Sequence, residues 1–350
     1  NGDSNGIYSR EKSEIKFMFK VEELYERLIV HKWFTENTHL LIGTSTTEVF
    51  YPKIWNETKK LIKLLDEGGY KNNLSLITKY WLSDKEIDFF RTIKNLSIDI
   101  SVSYSSMPSQ VEPQSTEMRL KFLSKLAKLQ NIHAIGYMRP IIEGYNTGYE
   151  TIKKTLSDFM NTGVKAIVFG GVKFSKDHRN NFFSLNLPLG NEISNAVEDN
   201  KFISDNTISK IRTAFEEIKI ENPKYKEVTL FRRSSCARTV IRNEKVDYNA
   251  HWINSEKNCS FNCPNNCSNN LEIPSKEEVV NLMDKLSKKN VDFKITKDFI
   301  IINNVDLNIF ELTFLTQNLK FPVKNRKQVD GFLDKKSSSK NLKESFNVTF

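Results

Sequence analysis

Short apolar runs rich in β-branched residues alternate with helix-patterned segments through the first two thirds of the chain. Most successive runs begin about 25 to 35 residues apart. This spacing predicts βα units, and therefore an α/β fold with a parallel sheet or a barrel. The predicted strands are His39–Gly43, Leu74–Thr78, Ile98–Tyr104, Ile132–Met138, Lys165–Gly171 and Glu227–Phe231.

The segments between these runs carry apolar residues at three- and four-residue steps, which is the period of an amphipathic helix. Several begin with Ser, Thr or Asn and have an acidic residue close behind, as helix N-termini do. The predicted helices are IWNETKKLIKLLDE, SDKEIDFFRTI, STEMRLKFLSKLAKL, YETIKKTLSDFMN and NTISKIRTAFEEIKI. After Gly171 the alternation stops for about 30 residues rich in Asn, Phe and Ser. We interpret that stretch as an insertion that covers a substrate.

Polar residues follow several of the predicted strands. GTSTTEVFYP follows the first, Lys79 the second, Ser103 and Ser105 end the third, and Arg139 ends the fourth. Parallel sheets and barrels bind ligands beyond the carboxyl ends of their strands, so these residues are candidates for a binding site. Each also has a structural alternative, namely a helix cap for the Thr and Ser residues and a surface salt bridge for the charged ones.

The four cysteines of the chain lie within 32 residues: Cys236, Cys259, Cys263 and Cys267. The last three are spaced every fourth residue, and this clustering predicts a metal site held by thiolates. An iron–sulfur cluster fits the three-residue gaps and a distant fourth ligand, whereas paired zinc cysteines usually have two intervening residues. Zinc, copper, disulfides and uncombined thiols remain alternatives.

Charge and hydropathy narrow the class of protein. No apolar run approaches the roughly 18 residues that a membrane span requires, and residues 1–20 lack a signal-peptide core. These features predict a soluble, cytoplasmic protein with no membrane partner. The net charge of +9 permits an anionic partner such as nucleic acid. Much of the lysine excess lies in KNRK and DKKSSSKNLK near the carboxyl terminus, where a solvated tail explains it equally well.

The succession LSLITKYWLSDKEID, ISVSYSSMPSQVEPQSTEMRLKFLSKL, HAIGYMRPIIEGYN and KAIVFGGV resembles the later strands of the radical S-adenosylmethionine (radical SAM) enzymes. The likeness is to the branch of spore photoproduct lyase-like proteins, and it covers roughly residues 10 to 272. It implies a partial (βα) barrel, with S-adenosylmethionine and a [4Fe-4S] cluster as cofactors. The residues that the resemblance assigns to S-adenosylmethionine are Thr46, Glu48, Ser103, Glu112, Arg119 and Arg139.

The resemblance implies a reaction in which a cluster reduces S-adenosylmethionine, a 5′-deoxyadenosyl radical forms, and hydrogen is abstracted from a substrate. That substrate is unknown, with nucleic acid as one possibility, and the electron donor would be a flavodoxin or ferredoxin. The family's early C-x3-C-x2-C loop is missing, since no cysteine precedes Cys236. The expectation is therefore that the initiating cluster belongs to an absent N-terminal segment, and that Cys236, Cys259, Cys263 and Cys267 hold an auxiliary cluster. A degenerate, inactive member of the family is the alternative.

Four segments are expected along the chain: a barrel-like region 1–235, a Cys-rich metal-binding extension 236–272, a small α/β appendage 273–323 and a disordered basic tail 324–350. The appendage is predicted from the helix KEEVVNLMDKLSKKN, the strands VDFKI and DFIIINN, and NIFELTFLTQNLK. A different function also fits the sequence. A zinc-stabilised, non-catalytic protein could use its basic surface to bind nucleic acid or another partner.

Overall fold

The computed structural model describes residues 19–43, 48–109, 112–171, 203–254, 259 and 263–328. The chain divides into two compact units. The larger unit takes Asn1–Ile29, His39–Glu244 and Asn254–Pro264, and the smaller unit takes Val30–Thr38, Lys245–Ile253 and Asn265–Phe350. The predicted insertion after Gly171 and most of the predicted tail fall on residues 172–202 and 329–350, which lie outside the described residues.

The larger unit is built on a six-stranded sheet in which every neighbouring pair is parallel. Its strands are β1 (Leu40–Ile42), β2 (Asn73–Thr78), β3 (Ser97–Ser103), β4 (Ile132–Ile141), β5 (Ala166–Gly171) and β6 (Thr229–Phe231). Its helices are α1 (Val21–Ile29), α2 (Pro52–Glu67), α3 (Asp84–Ile87), α4 (Thr116–Leu126), α5 (Tyr149–Asn161), α6 (Asp205–Glu221) and α7 (Ser234–Ile241). All six predicted strands and the α/β class are thus confirmed.

Helix starts follow the cap chemistry that the sequence suggested. The Ser115 hydroxyl accepts the amide of Met118 at the start of α4, and Ser83 and Glu86 form a capping box at α3. At α6 the cap is Ser204, two residues before the predicted start. These side chains bind amide groups that the first helical turn leaves without an intrahelical partner.

The strands lie side by side in chain order, β1-β2-β3-β4-β5-β6. In parallel sheets the crossover connections are right-handed, so a strand order that runs in one direction places the connecting helices on one face, as in a (βα) barrel. In a doubly wound sheet the strand order reverses direction, and helices lie on both faces. The topology is therefore compatible with a partial (βα) barrel.

The two faces of the sheet have different cores. Alternate residues such as Leu76, Ile100 and Ile167 belong to the main apolar core, which the helices share. The residues between them point to the other face, where Ile135, Tyr137 and Val168 pack with Phe231 and with Cys236 and Ala237 of α7. We call this second side the inner face. On β3 it is polar, since Asp99, Ser101 and Ser103 alternate with apolar neighbours and are all buried.

The smaller unit contains a three-stranded mixed sheet of β7 (Phe293–Ile295), β8 (Ile300–Ile302) and β9 (Val323–Asn325), with β7 and β8 antiparallel and β8 and β9 parallel. Helices α8 (Lys276–Lys285) and α9 (Ile309–Leu319) share its apolar core. Capping boxes of Ser275 with Glu278 and Asn308 with Glu311 begin both helices. The sequence-based boundary at Lys324 falls inside β9, a strand that the sequence analysis did not predict.

None of the helices in the described part of the chain is long and apolar enough to cross a bilayer.

Candidate functional site

The candidate site lies at the carboxyl ends of β2, β3 and β4, where parallel sheets position their ligands. Ser103 is the last residue of β3, and Arg139 lies near the end of β4. Glu112 lies in the segment between β3 and α4, and Arg119 in the first turns of α4. The βα connections thus bring residues that are far apart in sequence to one edge of the sheet.

Glu112 is the charged centre of this edge. Its side chain is 2% exposed, and its Oε1 lies 3.1 Å from Arg119 Nη1 and 3.1 Å from Lys79 Nζ. Arg119 is also buried, and it donates to the carbonyl oxygens of Ser103, at 2.8 Å, and Gln114, at 3.0 Å. The Lys79 side chain remains 42% exposed. A buried ion pair is therefore connected to solvent through one lysine.

Glu112 Oε1 is a buried acceptor with no aligned hydrogen bond from any described residue. Its contacts to Lys79 and Arg119 are close enough for ion pairs but lack hydrogen-bond geometry. The other oxygen has a long contact of 3.5 Å from the Ser105 hydroxyl. Buried polar atoms are nearly always hydrogen bonded. Glu112 Oε1 therefore has capacity for a ligand donor such as an ammonium or hydroxyl group.

Ser103 and Arg139 are joined through the backbone. The Ser103 hydroxyl donates to the Arg139 carbonyl oxygen at 2.7 Å, so it fixes the end of β3 against β4. The Arg139 guanidinium donates to the Tyr137 hydroxyl and, at 3.3 Å, to the Gly171 carbonyl oxygen. It lies across Gly170, where a Cβ atom would be 2.9 Å from Arg139 Nε, so the glycine makes room for the arginine.

Glu48 connects the segment after β1 to the end of β2. It accepts the Thr78 hydroxyl and the Phe50 amide on Oε1, and the Lys79 amide, at 2.8 Å, on Oε2. Both oxygens therefore have protein donors. Thr46, the remaining residue of the predicted S-adenosylmethionine site, lies outside the described residues.

The five described residues of the predicted cofactor site, Glu48, Ser103, Glu112, Arg119 and Arg139, form one connected group. The connection runs through Lys79, whose amide binds Glu48 and whose ammonium group contacts Glu112. Lys79 was noted in the sequence as a polar strand end but not assigned to the site. Its position directly after a predicted strand was the feature of the sequence that could have placed it in the site. Its contact with the distant Glu112 has no signature in the local sequence.

A second buried charge cluster lies on the inner face, nearer the start of β3. The Asp99 carboxylate accepts from Arg238 Nε at 3.0 Å, from Arg242, and from the Ser75 hydroxyl at 2.8 Å. Arg238 lies in α7 and Arg242 directly after it, so Asp99 ties this helix to the sheet. Sequence reasoning missed the cluster, although the alternation Ile98-Asp99-Ile100-Ser101-Val102-Ser103 indicated a polar face on this strand.

His39 extends this cluster, and its neighbours fix its tautomer. Arg242 can only donate, so its contact of 3.3 Å makes His39 Nδ1 an acceptor. His39 Nε2 then carries the hydrogen and donates to the Ser75 hydroxyl at 2.6 Å, which itself donates to Asp99. Burial, with the charges of Arg242 and Arg238, lowers the pKa of His39 from 6.5 to about 2. The imidazole is therefore neutral at physiological pH.

The cysteines of the predicted metal site are divided between the two compact units. Cys236, in α7, is buried in the inner-face apolar cluster, and Cys263 packs against that same cluster although it lies 27 residues later. Cys259 also belongs to the larger unit, whereas Cys267 belongs to the smaller one. A site formed by all four thiolates stays a prediction.

Within the smaller unit, a carboxylate and an imidazole lie side by side: His251 Nδ1 is 3.0 Å from Asp247 Oδ2. Carboxylate and imidazole are ligand types of zinc and iron sites. Asp247 and His251 were not among the predicted metal ligands.

Comparison with protein-family models gives no match for this chain, and comparison with curated proteins gives none either.

Proposed function

We propose that the carboxyl edge of the six-stranded sheet binds S-adenosylmethionine, and that the protein is a radical SAM-type enzyme. The observation that supports this proposal is the buried Glu112 oxygen with unused acceptor capacity, beside a half-exposed lysine. The methionyl end of S-adenosylmethionine carries an ammonium and a carboxylate group. A carboxylate next to a lysine is complementary to that pair of charges.

The residues have distinct roles in this proposal. Glu112 accepts the ammonium group or a ribose hydroxyl, and Lys79 binds the carboxylate. Arg119 forms an ion pair with Glu112 and holds it in position, while Ser103 and Glu48 hold the strand ends that shape the edge. Arg139 is a further anion-binding group at the end of β4. When bound beside a reduced iron–sulfur cluster, S-adenosylmethionine supplies a carbon radical that abstracts hydrogen, and the protein's part is to orient it and exclude water.

Binding of S-adenosylmethionine to the whole chain tests the proposal, and isothermal titration calorimetry measures it without turnover. Lys79→Gln and Glu112→Gln should each weaken binding about tenfold or more, because each removes one charge-assisted contact. Glu117→Gln changes an exposed acid on the same helix as Arg119 and should leave binding unchanged. Since Glu112→Gln also disturbs a buried ion pair, Lys79→Gln is the decisive variant. Unaltered affinity in Lys79→Gln and Glu112→Gln would refute the proposed contacts, and no binding by the wild type would refute the function.

A zinc-stabilised binding protein is the second candidate. Its support is the pair formed by His251 Nδ1 and Asp247 Oδ2, 3.0 Å apart, because the same carboxylate–imidazole pairing orients histidine ligands in zinc sites. Metal analysis after anaerobic iron and sulfide reconstitution separates the two candidates. Brown protein that loses its colour in the Cys259→Ala, Cys263→Ala double variant supports an auxiliary iron–sulfur cluster, whereas colourless protein with stoichiometric zinc supports the binding protein.

A further inference from the structure

A cavity of about 420 Å³ in the larger unit is lined by residues other than those of the proposed cofactor site. Its volume falls within the range of roughly 300 to 1,000 Å³ that is common for small-ligand sites. Half of its lining consists of aromatic residues and lysines, namely Phe50, Tyr80, Trp81, Lys121, Phe122 and Lys125. We call it the aromatic–lysine cavity.

Two aromatic rings of this cavity are already stacked on each other. The ring centroids of Tyr80 and Trp81 are 5.0 Å apart and the ring planes differ by only 9°. Both side chains are partly exposed. Phe50 and Phe122 are buried and meet edge to face, with centroids 5.6 Å apart. Flat, partly exposed rings supported by a packed aromatic core form a platform on which a nucleobase can stack, whatever its identity.

The cavity lining carries two lysines and two acidic residues, and Lys121 is the exposed cation among them. Lys121 is exposed and lies one helical turn before Lys125 on α4. Two acidic residues also line the cavity, but both have partners. Lys125 pairs with Asp84, and Glu86 accepts the Ser83 amide and hydroxyl at 3.0 and 2.8 Å. The exposed cation beside the rings is therefore Lys121, which is suited to a phosphate group.

We propose that the aromatic–lysine cavity binds single-stranded nucleic acid, with one base stacked on the Tyr80–Trp81 pair and a neighbouring phosphate at Lys121. A double helix does not offer a base face to such a platform, because its bases stack on each other. An acidic peptide would meet Lys121 but gain no base stacking. The net charge of +9 is consistent with a polyanionic ligand. This proposal does not depend on S-adenosylmethionine binding.

Fluorescence anisotropy with labelled oligothymidylate and oligouridylate of about 12 nucleotides tests the proposal on the whole chain. Trp81→Ala should weaken binding about tenfold, whereas Trp81→Phe, which keeps a ring, should retain most of it. Lys121→Glu should weaken binding and reduce the dependence of affinity on salt between about 50 and 200 mM. Lys226→Glu, the same charge change at an exposed lysine outside the cavity, is the control for net charge. Circular dichroism of each variant checks that the fold is retained.

Comparison of the two oligonucleotides identifies whether DNA or RNA is preferred. The proposal fails if the wild type does not bind either one, or if folded Trp81→Ala binds as the wild type does. It also fails if a duplex of the same length binds equally well, or if Lys226→Glu weakens binding as much as Lys121→Glu. Binding of a labelled oligoglutamate that competes equally with the oligonucleotides would assign the cavity to an acidic peptide instead.

Discussion

At the scale of single residues, Asp99 is expected to contribute strongly to stability. It is fully buried and faces two arginines whose side chains are 6% and 3% exposed. Asp99→Asn removes the negative charge and leaves both guanidinium groups buried, which we expect to lower the free energy of unfolding by about 3 to 5 kcal/mol. Urea unfolding of the wild type and the variant measures this difference.

Asp88→Asn is the matched control for that prediction, because Asp88 forms an ion pair with Arg91 in which both side chains are more than 60% exposed. Exposed ion pairs contribute little to stability, so this variant should unfold near the wild-type midpoint. Equal effects of the two substitutions would contradict the role assigned to Asp99.

His39 predicts a loss of stability in mild acid. Its pKa is about 2 in the folded protein, while an unfolded histidine titrates near 6.5. As the pH falls below about 6.5, the unfolded chain therefore gains a proton that the folded protein does not take up, and folding becomes less favourable. Between pH 7.5 and 5 this one residue should cost about 2 kcal/mol of unfolding free energy.

His39→Gln checks the origin of that pH dependence, because an amide retains the hydrogen-bonding groups but does not titrate. Urea unfolding at several pH values should show a smaller decline in the variant than in the wild type. Burial also lowers the pKa of His133, so part of the decline should remain. His31→Gln, at an exposed histidine, should decline as the wild type does. If His39→Gln and the wild type decline in parallel, the assignment to His39 is wrong.

At the scale of secondary-structure elements, the close packing of α5 on β4 depends on Gly136. A Cβ atom at this position would lie 2.7 Å from Phe159 Cδ1 and 2.9 Å from Cγ, and Phe159 is fully buried. Gly136→Ala should therefore destabilise the larger unit by about 1 to 3 kcal/mol, because the added methyl group overlaps a fully buried ring. Thermal unfolding followed by circular dichroism measures the change.

Two further variants make this prediction specific. Gly148→Ala adds the same methyl group at the start of α5, where the nearest atom, Thr151 Oγ1, is 3.6 Å away, and it should have little effect. Combining Gly136→Ala with Phe159→Leu should restore part of the lost stability, since the smaller side chain makes space. If the double variant is as unstable as the sum of its single changes, the contact with Phe159 is not the cause.

Elements were more predictable from the sequence than contacts between them. The spacing of apolar residues along the chain located all six strands of the larger sheet, because each strand carries its own apolar pattern. β9 was not predicted, because Val323–Asn325 is only three residues long and is stabilised by pairing with β8, a distant segment. The ion pair of Lys79 with Glu112, and that of Arg238 with Asp99, join residues 33 and 139 positions apart. No local pattern encodes such pairings.

At the scale of the whole molecule, the sequence indicated an α/β chain with a small carboxyl-terminal appendage, and the structure has both. Which segments share a compact unit was less predictable. Val30–Thr38 and Lys245–Ile253 belong to the smaller unit although they precede the appendage in the chain. Assignment of a segment to a unit depends on the residues with which it packs, as Trp33 does with Phe314 at a ring separation of 5.6 Å. A division of the chain into consecutive segments cannot express that a segment packs with residues distant in sequence.

The strand order of the larger sheet also has a consequence for how the protein avoids self-association. Its outermost strands, β1 and β6, are only three residues long, whereas the four strands between them have six to ten residues. β1 pairs with three residues of β2, and β6 pairs with three residues of β5, so short strands form both margins of the described sheet. Short edge strands offer another chain few backbone amide and carbonyl groups with which to pair. The sheet should therefore resist the addition of strands from other chains, which leads to aggregates.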